Sequence, residues 1–266
     1  QEAQRIGNER ALTYIHAFNH PLIVAGQGTI GLELYEQNPD LDAVLVPVGG
    51  GGLIAGIALA LKTLKPSVRV IGVQAEAIPS MKIALEQDQI VRVPAAATIA
   101  DGIAVRAPGD ETFPMVKRFV DEIVTVREGE IANAVLMLLE IEKTVAEGAA
   151  AVSLAALVSG KVALGGKNTG LIISGGNIDM NLIARIIETG LIQDGRLTRL
   201  SVVISDRPGS LARLAQRLAA LGANILQINQ TRGFGQTAIG ETEVELTLET
   251  MGREHSESIC AGLRAD

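Results

Sequence analysis

The chain has 266 residues, of which 47% are hydrophobic and 20% charged, and it carries a formal net charge of −7. A chain of this length and apolar content can bury one or two globular cores. The acidic balance and an aromatic content of only 2% argue against nucleic-acid binding, because they provide neither a basic groove nor platforms for base stacking.

Up to residue 190, short β-branched runs alternate with Ala/Leu-rich helical patterns. The stretch 1–14 is predicted to be a helix that lacks an N-cap signal. The predicted strands are Ala43–Val48, Val68–Gln74, Glu122–Val126 and Gly170–Ser174. Alternation of this kind favours a parallel sheet, and the continuous apolarity of the first strand is typical of a strand covered on both faces. We therefore predict an α/β fold in which the strand ends present the site.

The pattern changes at Arg196. The predicted elements that follow are a strand at Arg199–Ser205, a helix at Ser210–Leu221, strands at Asn224–Thr231 and Glu241–Glu249, and a helix over His255–Asp266. This is the element order of a ferredoxin-like α+β sandwich without its last strand. We therefore predict two domains, 1–190 and 199–266, joined by a linker at 191–198, and we expect both ends of the chain to be cut within longer elements.

Four consecutive glycines follow the first predicted strand. Gly49, Gly50, Gly51 and Gly52 also precede an apolar helix at Leu53–Leu64. Backbone amides without Cβ obstruction would converge there at a helix N-terminus, which suits a phosphate group. The alternative is a tight strand-to-helix turn in which glycine only permits close packing.

Two further positions carry polar groups near predicted strand or helix ends. Ser174 begins a Ser-Gly-Gly-Asn turn after the last strand of the sheet, where its hydroxyl can bond a heteroaromatic nitrogen. Glu147 precedes a small-residue helix, and it either contacts a ligand or caps that helix. His16 and His20 lack partners at metal-ligand spacing, and no nucleophile-elbow motif occurs, so zinc and hydrolase chemistry are not indicated.

Taken together, several motifs resemble the threonine and serine dehydratases of the fold-type II pyridoxal-phosphate family. The motifs are Ala25–Glu33, Val46–Gly52, Thr98–Gly102, Glu147–Ala149 and Ser174–Asn177. The resemblance implies that pyridoxal 5′-phosphate is the cofactor, with Gly49–Gly52 around its phosphate and Ser174 at its pyridine nitrogen. It also implies that Glu147 lies near the ring and that Gly102 borders the substrate.

The resemblance is incomplete in two respects. In that family a lysine in an upstream Ser-Phe-Lys-type segment holds the cofactor covalently and moves the substrate protons, and none of the seven lysines here lies in such a motif. We therefore assign no catalytic residue and expect the chain alone to be inactive. Related racemases bind a divalent cation through a Glu and an Asp, where this chain has Gln74 and Ser80, so no metal site of that form is expected.

The C-terminal part resembles an ACT domain, a regulatory fold of amino-acid metabolism, through Ser205–Leu211 and Gly222–Ile225. The resemblance implies allosteric control by a small amino acid such as isoleucine or valine. The expected effector residues are Asp206, Pro208 and Gly209 at a turn before a helix, facing Asn224 on the next strand. The alternative for this turn is an ordinary helix start.

The function implied by the resemblance is that of a threonine ammonia-lyase, which eliminates water from L-threonine and, to a lesser extent, L-serine. The alternatives are serine racemase or another fold-type II enzyme, and a non-catalytic protein that binds amino acids for regulation. Cys260 is the single cysteine, and no long apolar run indicates a signal peptide or membrane span. We therefore expect a cytoplasmic homo-oligomer, a dimer or tetramer, that binds neither membranes nor nucleic acid.

Overall fold

The computed structural model describes residues 2–231 and 238–264. The chain divides between Asp179 and Met180 into two compact units. This division falls before the predicted linker at 191–198, because the helix Met180–Gln193 groups with the second unit and a strand already begins at Leu197. No helix in the described ranges is both long and apolar enough to cross a membrane.

The first unit is built around a parallel sheet. In chain order its elements are α1 (Glu2–Glu9), α2 (Pro21–Gln37), β1 (Ala43–Pro47), α3 (Gly52–Leu64), β2 (Arg69–Ala75), α4 (Ser80–Glu86), a 3-10 turn (Asp101–Ile103), α5 (Thr112–Phe119), β3 (Glu122–Val126), α6 (Glu128–Glu140), α7 (Gly148–Val158) and β4 (Thr169–Leu171). The strand order is β3-β2-β1-β4, and every neighbouring pair is parallel. The predicted parallel sheet is therefore confirmed.

Burial follows the position of each strand in the sheet. All of β1 is buried, and so is β2 apart from Arg69, whereas the edge strands β3 and β4 are mostly half-buried. Ile54, Ile57 and Leu61 of α3 are fully buried in the core cluster that also contains Val44 and Val46 of β1. The apolar run at residues 43–48 thus belongs to the central part of the core, as its composition predicts.

Two predicted elements are shorter than expected. The first helix ends at Glu9 rather than at residue 14, because Ala11 has a φ of +51° and the Leu12 amide turns back to the Gly7 carbonyl at 2.9 Å. The last strand of the sheet spans Thr169–Leu171 instead of Gly170–Ser174. Ser174 therefore lies in the segment beyond the strand.

Helices α2 and α3 approach each other closely through glycine. A Cβ on Gly56 would lie 2.3 Å from the Val24 carbonyl oxygen and 2.6 Å from the Gly28 nitrogen. A Cβ on Gly31 would lie 2.9 Å from the Ile57 carbonyl oxygen. Part of the Ala25–Glu33 motif thus serves helix packing, which places α3 and the glycine loop before it.

The second unit is an antiparallel sheet with helices. Its elements are α8 (Met180–Gln193), β5 (Leu197–Ser205), α9 (Ser210–Ala220), β6 (Asn224–Thr231), β7 (Glu241–Glu249) and α10 (Arg253–Arg264). The strand order is β5-β7-β6, and the order from β5 onward is the predicted β-α-β-β-α. The last predicted helix begins at Arg253 rather than His255, and its predicted end at residues 265–266 lies outside the described residues.

Candidate cofactor-binding site

A cavity of about 290 Å³ lies where β1 ends and α3 begins. Its lining includes every residue that the sequence predicts for the cofactor and substrate, namely Gly49–Gly52, Gly102, Glu147 and Ser174. These residues come from four separate parts of the chain, and the parallel sheet brings them together. Phe18 and Gln27 also line the cavity and were not predicted.

The glycine loop forms one wall of the cavity. Gly51 is the N-cap of α3 with a φ of +97°, a conformation that favours glycine. The first amides of a helix have no acceptor within the helix, and the helix dipole adds positive potential there. A Cβ on Gly50 would lie 2.2 Å from Cε2 of Phe18, and one on Gly52 would lie 2.8 Å from the Phe18 carbonyl oxygen. The loop is therefore a bare backbone cradle whose amides fit a phosphate group.

Hydrogen bonds to the loop at residues 109–112 hold this wall in place. The Thr112 hydroxyl, which is fully buried, donates to the Gly50 carbonyl at 2.5 Å. The Asn19 amide nitrogen donates to Asp110 Oδ1 at 2.5 Å, while Asn19 Oδ1 accepts from the Glu111 nitrogen at 3.0 Å. The hydrogen bond from Asn19 is the main cause that lowers the pKa of the Asp110 carboxyl. Asn19 thus fastens the segment that carries Phe18.

Glu147 lies at the opposite side of the site, at the start of α7. Its backbone carbonyl accepts from the Ala151 amide at 3.0 Å, but its side chain makes no capping bond to the helix. Instead, its Oε2 accepts from the Asn177 amide at 3.1 Å, and a Cβ on Gly175 would lie 2.5 Å from its Oε1. The carboxylate therefore lies against the turn that follows Ser174.

The other two predicted residues present small groups to the cavity. Ser174 is exposed, and its hydroxyl has no hydrogen-bond partner among the residues that the structure describes. Gly102 lies in the 3-10 turn, where a Cβ would be 3.0 Å from the Ala149 Cβ and 3.3 Å from Glu147 Oε1. The Ser174 hydroxyl is therefore available to a ligand, and Gly102 keeps the space beside Glu147 open.

None of the seven lysines of the chain, all of which lie in the described ranges, lines this cavity. Gln74 is fully buried, where its Nε2 donates to the Val48 carbonyl at 3.2 Å and its Oε1 accepts from the Lys82 amide at 2.9 Å. Ser80, also buried, donates to the Val105 carbonyl at 2.6 Å. Both positions that correspond to a cation site in related racemases are thus engaged in internal hydrogen bonds. The described ranges also contain no cluster of three or more His, Cys, Asp or Glu side chains.

A cavity of about 320 Å³ lies in the second unit, lined by residues 204–211 and Gln230. It contains three of the four predicted effector residues: Asp206, Pro208 and Gly209. Gly209 is the N-cap of α9 with a φ of +89°. The turn before α9 is therefore concave and ends in helix amides, which suits a carboxylate.

The predicted position of Asn224 opposite this turn is wrong. Strand β5 ends at Ser205 beside Glu241, whereas β6 begins at Asn224 beside Glu249, so the two lie at opposite ends of β7. Because β5 and β6 are both antiparallel to β7, they run in the same direction, and about 25 Å of strand separates the two positions. Asn224 donates to Glu249 Oε2 at 3.0 Å, and Gln230, farther along β6, lines the cavity instead.

Comparisons with known proteins agree with this arrangement. A family profile described as pyridoxal-phosphate dependent enzyme matches residues 1–175. An L-threonine ammonia-lyase of Thermotoga maritima is 49% identical over 97% of this chain, and one of Geobacter sulfurreducens is 49% identical over 96%. The chain spans 64% of the length of each of these two relatives.

Two solved structures share the fold. The threonine deaminase of T.th. has a TM-score of 0.64 at 39% identity, with 67% of this chain and 62% of that chain covered. Maize serine racemase also has a TM-score of 0.64, at 34% identity, with 71% of this chain and 59% of that chain covered. The expected α/β fold of fold-type II is thereby confirmed, and the chain belongs to the family of pyridoxal-phosphate-dependent enzymes.

Proposed function

We propose that this chain forms the phosphate-binding and ring-binding part of a threonine ammonia-lyase. The reaction converts L-threonine to 2-oxobutanoate and ammonia, and L-serine to pyruvate and ammonia. The observation that carries the proposal is the cavity that joins Gly49–Gly52 at the N-terminus of α3 with Ser174, Glu147 and Gly102. The two ammonia-lyases at 49% identity support this choice of reaction.

Each residue of the cavity has a role that follows from its chemistry. The amides of Gly49–Gly52 hold the phosphate of pyridoxal phosphate, and the Ser174 hydroxyl bonds the pyridine nitrogen. When bound, the cofactor supplies a conjugated ring that accepts electrons as bonds to the substrate Cα break. A neutral serine does not hold the ring nitrogen protonated, as an aspartate would, so it favours elimination over reactions that need stronger electron withdrawal. Glu147 lies beside the ring, and Gly102 leaves room for the substrate.

The lysine that binds the cofactor covalently in this family has no counterpart in the cavity. Of the seven lysines, Lys62 and Lys161 form ion pairs with Asp121 and Glu130. We propose that the lysine is supplied by sequence outside these 266 residues. The 266-residue chain alone is then expected to lack activity.

Serine racemase is the second candidate, because maize serine racemase matches 71% of the chain at the same TM-score as the threonine deaminase. The polar contacts of Gln74 and Ser80 disfavour it, since neither side chain is left to hold a divalent cation as in the related racemases.

The test compares the protein encoded by the complete gene with the 266-residue chain. We expect the complete protein to form 2-oxobutanoate from L-threonine, and the chain alone to form none. Racemisation of L-serine without release of a 2-oxo acid would favour the racemase. If the chain alone forms 2-oxobutanoate, and borohydride reduction attaches the cofactor to one of its seven lysines, the proposal of an external lysine is wrong.

We also propose that the second unit binds a small amino acid, such as isoleucine or valine, and regulates the enzyme. The supporting observation is the cavity at the turn before α9, lined by Asp206, Pro208, Gly209 and Gln230. Helix amides at Gly209 can meet the carboxylate of the amino acid, and the Asp206 carboxylate can meet its ammonium group.

A further inference from the structure

We infer that Thr112 is a positioning residue that directs the Gly51 amide into the cavity and so sets the affinity of the glycine loop for phosphate. This inference rests on the proposed phosphate role of Gly49–Gly52. Thr112 is the first residue of α5, which is distant in sequence from the loop. Its hydroxyl is fully buried and donates to the Gly50 carbonyl at 2.5 Å.

The direction of the Gly51 amide follows from peptide geometry. The Gly50 carbonyl and the Gly51 N–H belong to one planar peptide unit, and in a trans peptide these two groups point in opposite directions. No cis peptide bond occurs in the described residues. The Gly50 carbonyl accepts from Thr112 and also from the Gly109 amide at 3.3 Å, so it points toward residues 109–112. The Gly51 N–H therefore points away from α5, and Gly51 lines the cavity.

A fixed carbonyl matters here because glycine restricts the backbone so little. The peptide joins Gly50 to Gly51, and the residues on either side are Gly49 and Gly52, so no Cβ opposes rotation of the peptide plane. A rotated peptide would replace a hydrogen-bond donor with a carbonyl oxygen, which repels a phosphate. Two hydrogen bonds to one carbonyl hold the productive orientation before any ligand arrives.

The packing around Gly51 leaves the opposite side of the loop closed. A Cβ on Gly51 would lie 2.6 Å from Cε of Met81 and 3.1 Å from Cβ of Thr112. The Thr112 hydroxyl also lies 3.3 Å from the Gly109 carbonyl, but the shorter contact to Gly50 takes its single proton. The protein side of this peptide is thus occupied by Thr112, and the cavity side is left to the amide.

The test uses Thr112→Val, which keeps the shape of the side chain and removes the hydroxyl, and Thr112→Ser, which keeps the hydroxyl. The probes are pyridoxine 5′-phosphate and pyridoxine, which lack the aldehyde and do not react with lysines. We expect calorimetry on the 266-residue chain to show binding of the phosphorylated probe weakened about tenfold or more by Thr112→Val, or about 1.4 kcal/mol. Thr112→Ser is expected to stay near the unmodified affinity.

Two controls separate a local effect from general destabilisation. Ser153 is another fully buried hydroxyl, which donates to the Leu45 carbonyl at 3.2 Å, and Ser153→Ala is expected to keep the phosphate-dependent affinity. In spectra of the chain labelled with 15N-glycine, the Gly51 amide is expected to shift on addition of pyridoxine 5′-phosphate, and to shift less in Thr112→Val.

Each outcome decides the matter. Unchanged affinity in Thr112→Val, or an equal loss in Ser153→Ala, overturns the role of Thr112. If Gly50→Asp abolishes phosphate-dependent binding while Thr112→Val keeps it, the phosphate site stands and only this inference fails. If the unmodified chain binds pyridoxine as tightly as its phosphate, the proposed phosphate site fails and the role of Thr112 with it.

Discussion

Gly50 lies where neither a side chain nor a negative charge has room. A Cβ there would overlap the ring of Phe18, and the amides around it are the proposed contacts of a phosphate dianion. Gly50→Asp places both a Cβ and a carboxylate in the cradle, so steric overlap and charge repulsion act in the same direction. We expect the variant to lose at least about tenfold in affinity for pyridoxine 5′-phosphate, or about 1.4 kcal/mol, measured by calorimetry.

The matched control for Gly50→Asp is Gly129→Asp in α6, where a Cβ would meet nothing within 4 Å. This control adds the same charge to the chain but is expected to leave the affinity unchanged. Gly50→Ala, which adds bulk without charge, separates the two contributions. Retention of pyridoxal phosphate by Gly50→Asp through extensive dialysis of the complete protein would show that the phosphate lies elsewhere.

Some residues of the cavity could be found from the sequence and others could not. Gly49–Gly52 and Ser174 stand in short motifs whose chemistry is local, so they were predicted. Phe18 and Thr112 reach the glycine loop only through the tertiary fold, because each lies far from it in sequence. Gln27 belongs to the Ala25–Glu33 motif, which was the one signal that pointed toward it.

At the level of elements, the close contact of α2 with α3 sets the position of the glycine loop. Ala in place of Gly inside a helix normally stabilises by about 0.5–1 kcal/mol. At Gly56 the added Cβ would instead meet backbone atoms of α2 at 2.3 and 2.6 Å. We expect Gly56→Ala to lower the free energy of unfolding by about 1–3 kcal/mol, the usual cost of overpacking, as measured by urea denaturation.

Gly26 supplies the matched control on the other helix of this pair. It lies on the exposed side of α2, where a Cβ would meet nothing within 4 Å. Gly26→Ala is expected to raise the free energy of unfolding, which is the opposite sign from Gly56→Ala. Equal shifts of the same sign in both variants would contradict the role assigned to the α2–α3 contact.

The strands were predicted more accurately than the relations between them. Apolar runs and turn residues placed β1 and β3 within one residue of their observed bounds, since both signals are local. The error at Asn224 has a different origin, because it concerns which end of a sheet a residue occupies. That depends on strand order and direction, which the β-α-β-β-α pattern alone does not fix.

At the scale of the whole molecule, each unit has its own hydrophobic core. The core of the first unit surrounds α3 and β1, and that of the second contains Leu218, Leu246 and Ile259. Two cores allow one unit to carry the cofactor while the other responds to a different ligand. Regulation of this kind requires only that the effector bind one functional state more tightly, typically with a coupling of about 1–3 kcal/mol. A regulatory unit of this size commonly pairs with a second copy, because an open sheet edge such as β5 favours association.

The last prediction tests effector binding at Gly209, which has a φ of +89° and begins α9. Gly209→Glu brings a carboxylate to the amides that would receive the carboxylate of isoleucine or valine, and it strains the backbone. Calorimetry on the complete protein is expected to show binding of one of these amino acids outside the active site, and its loss in Gly209→Glu. Gly160→Glu is the control, since Gly160 also has a positive φ of +69°, with nothing within 4 Å of an added Cβ, but lies in the first unit. Binding that survives Gly209→Glu, or that Gly160→Glu weakens equally, would contradict a site at this turn.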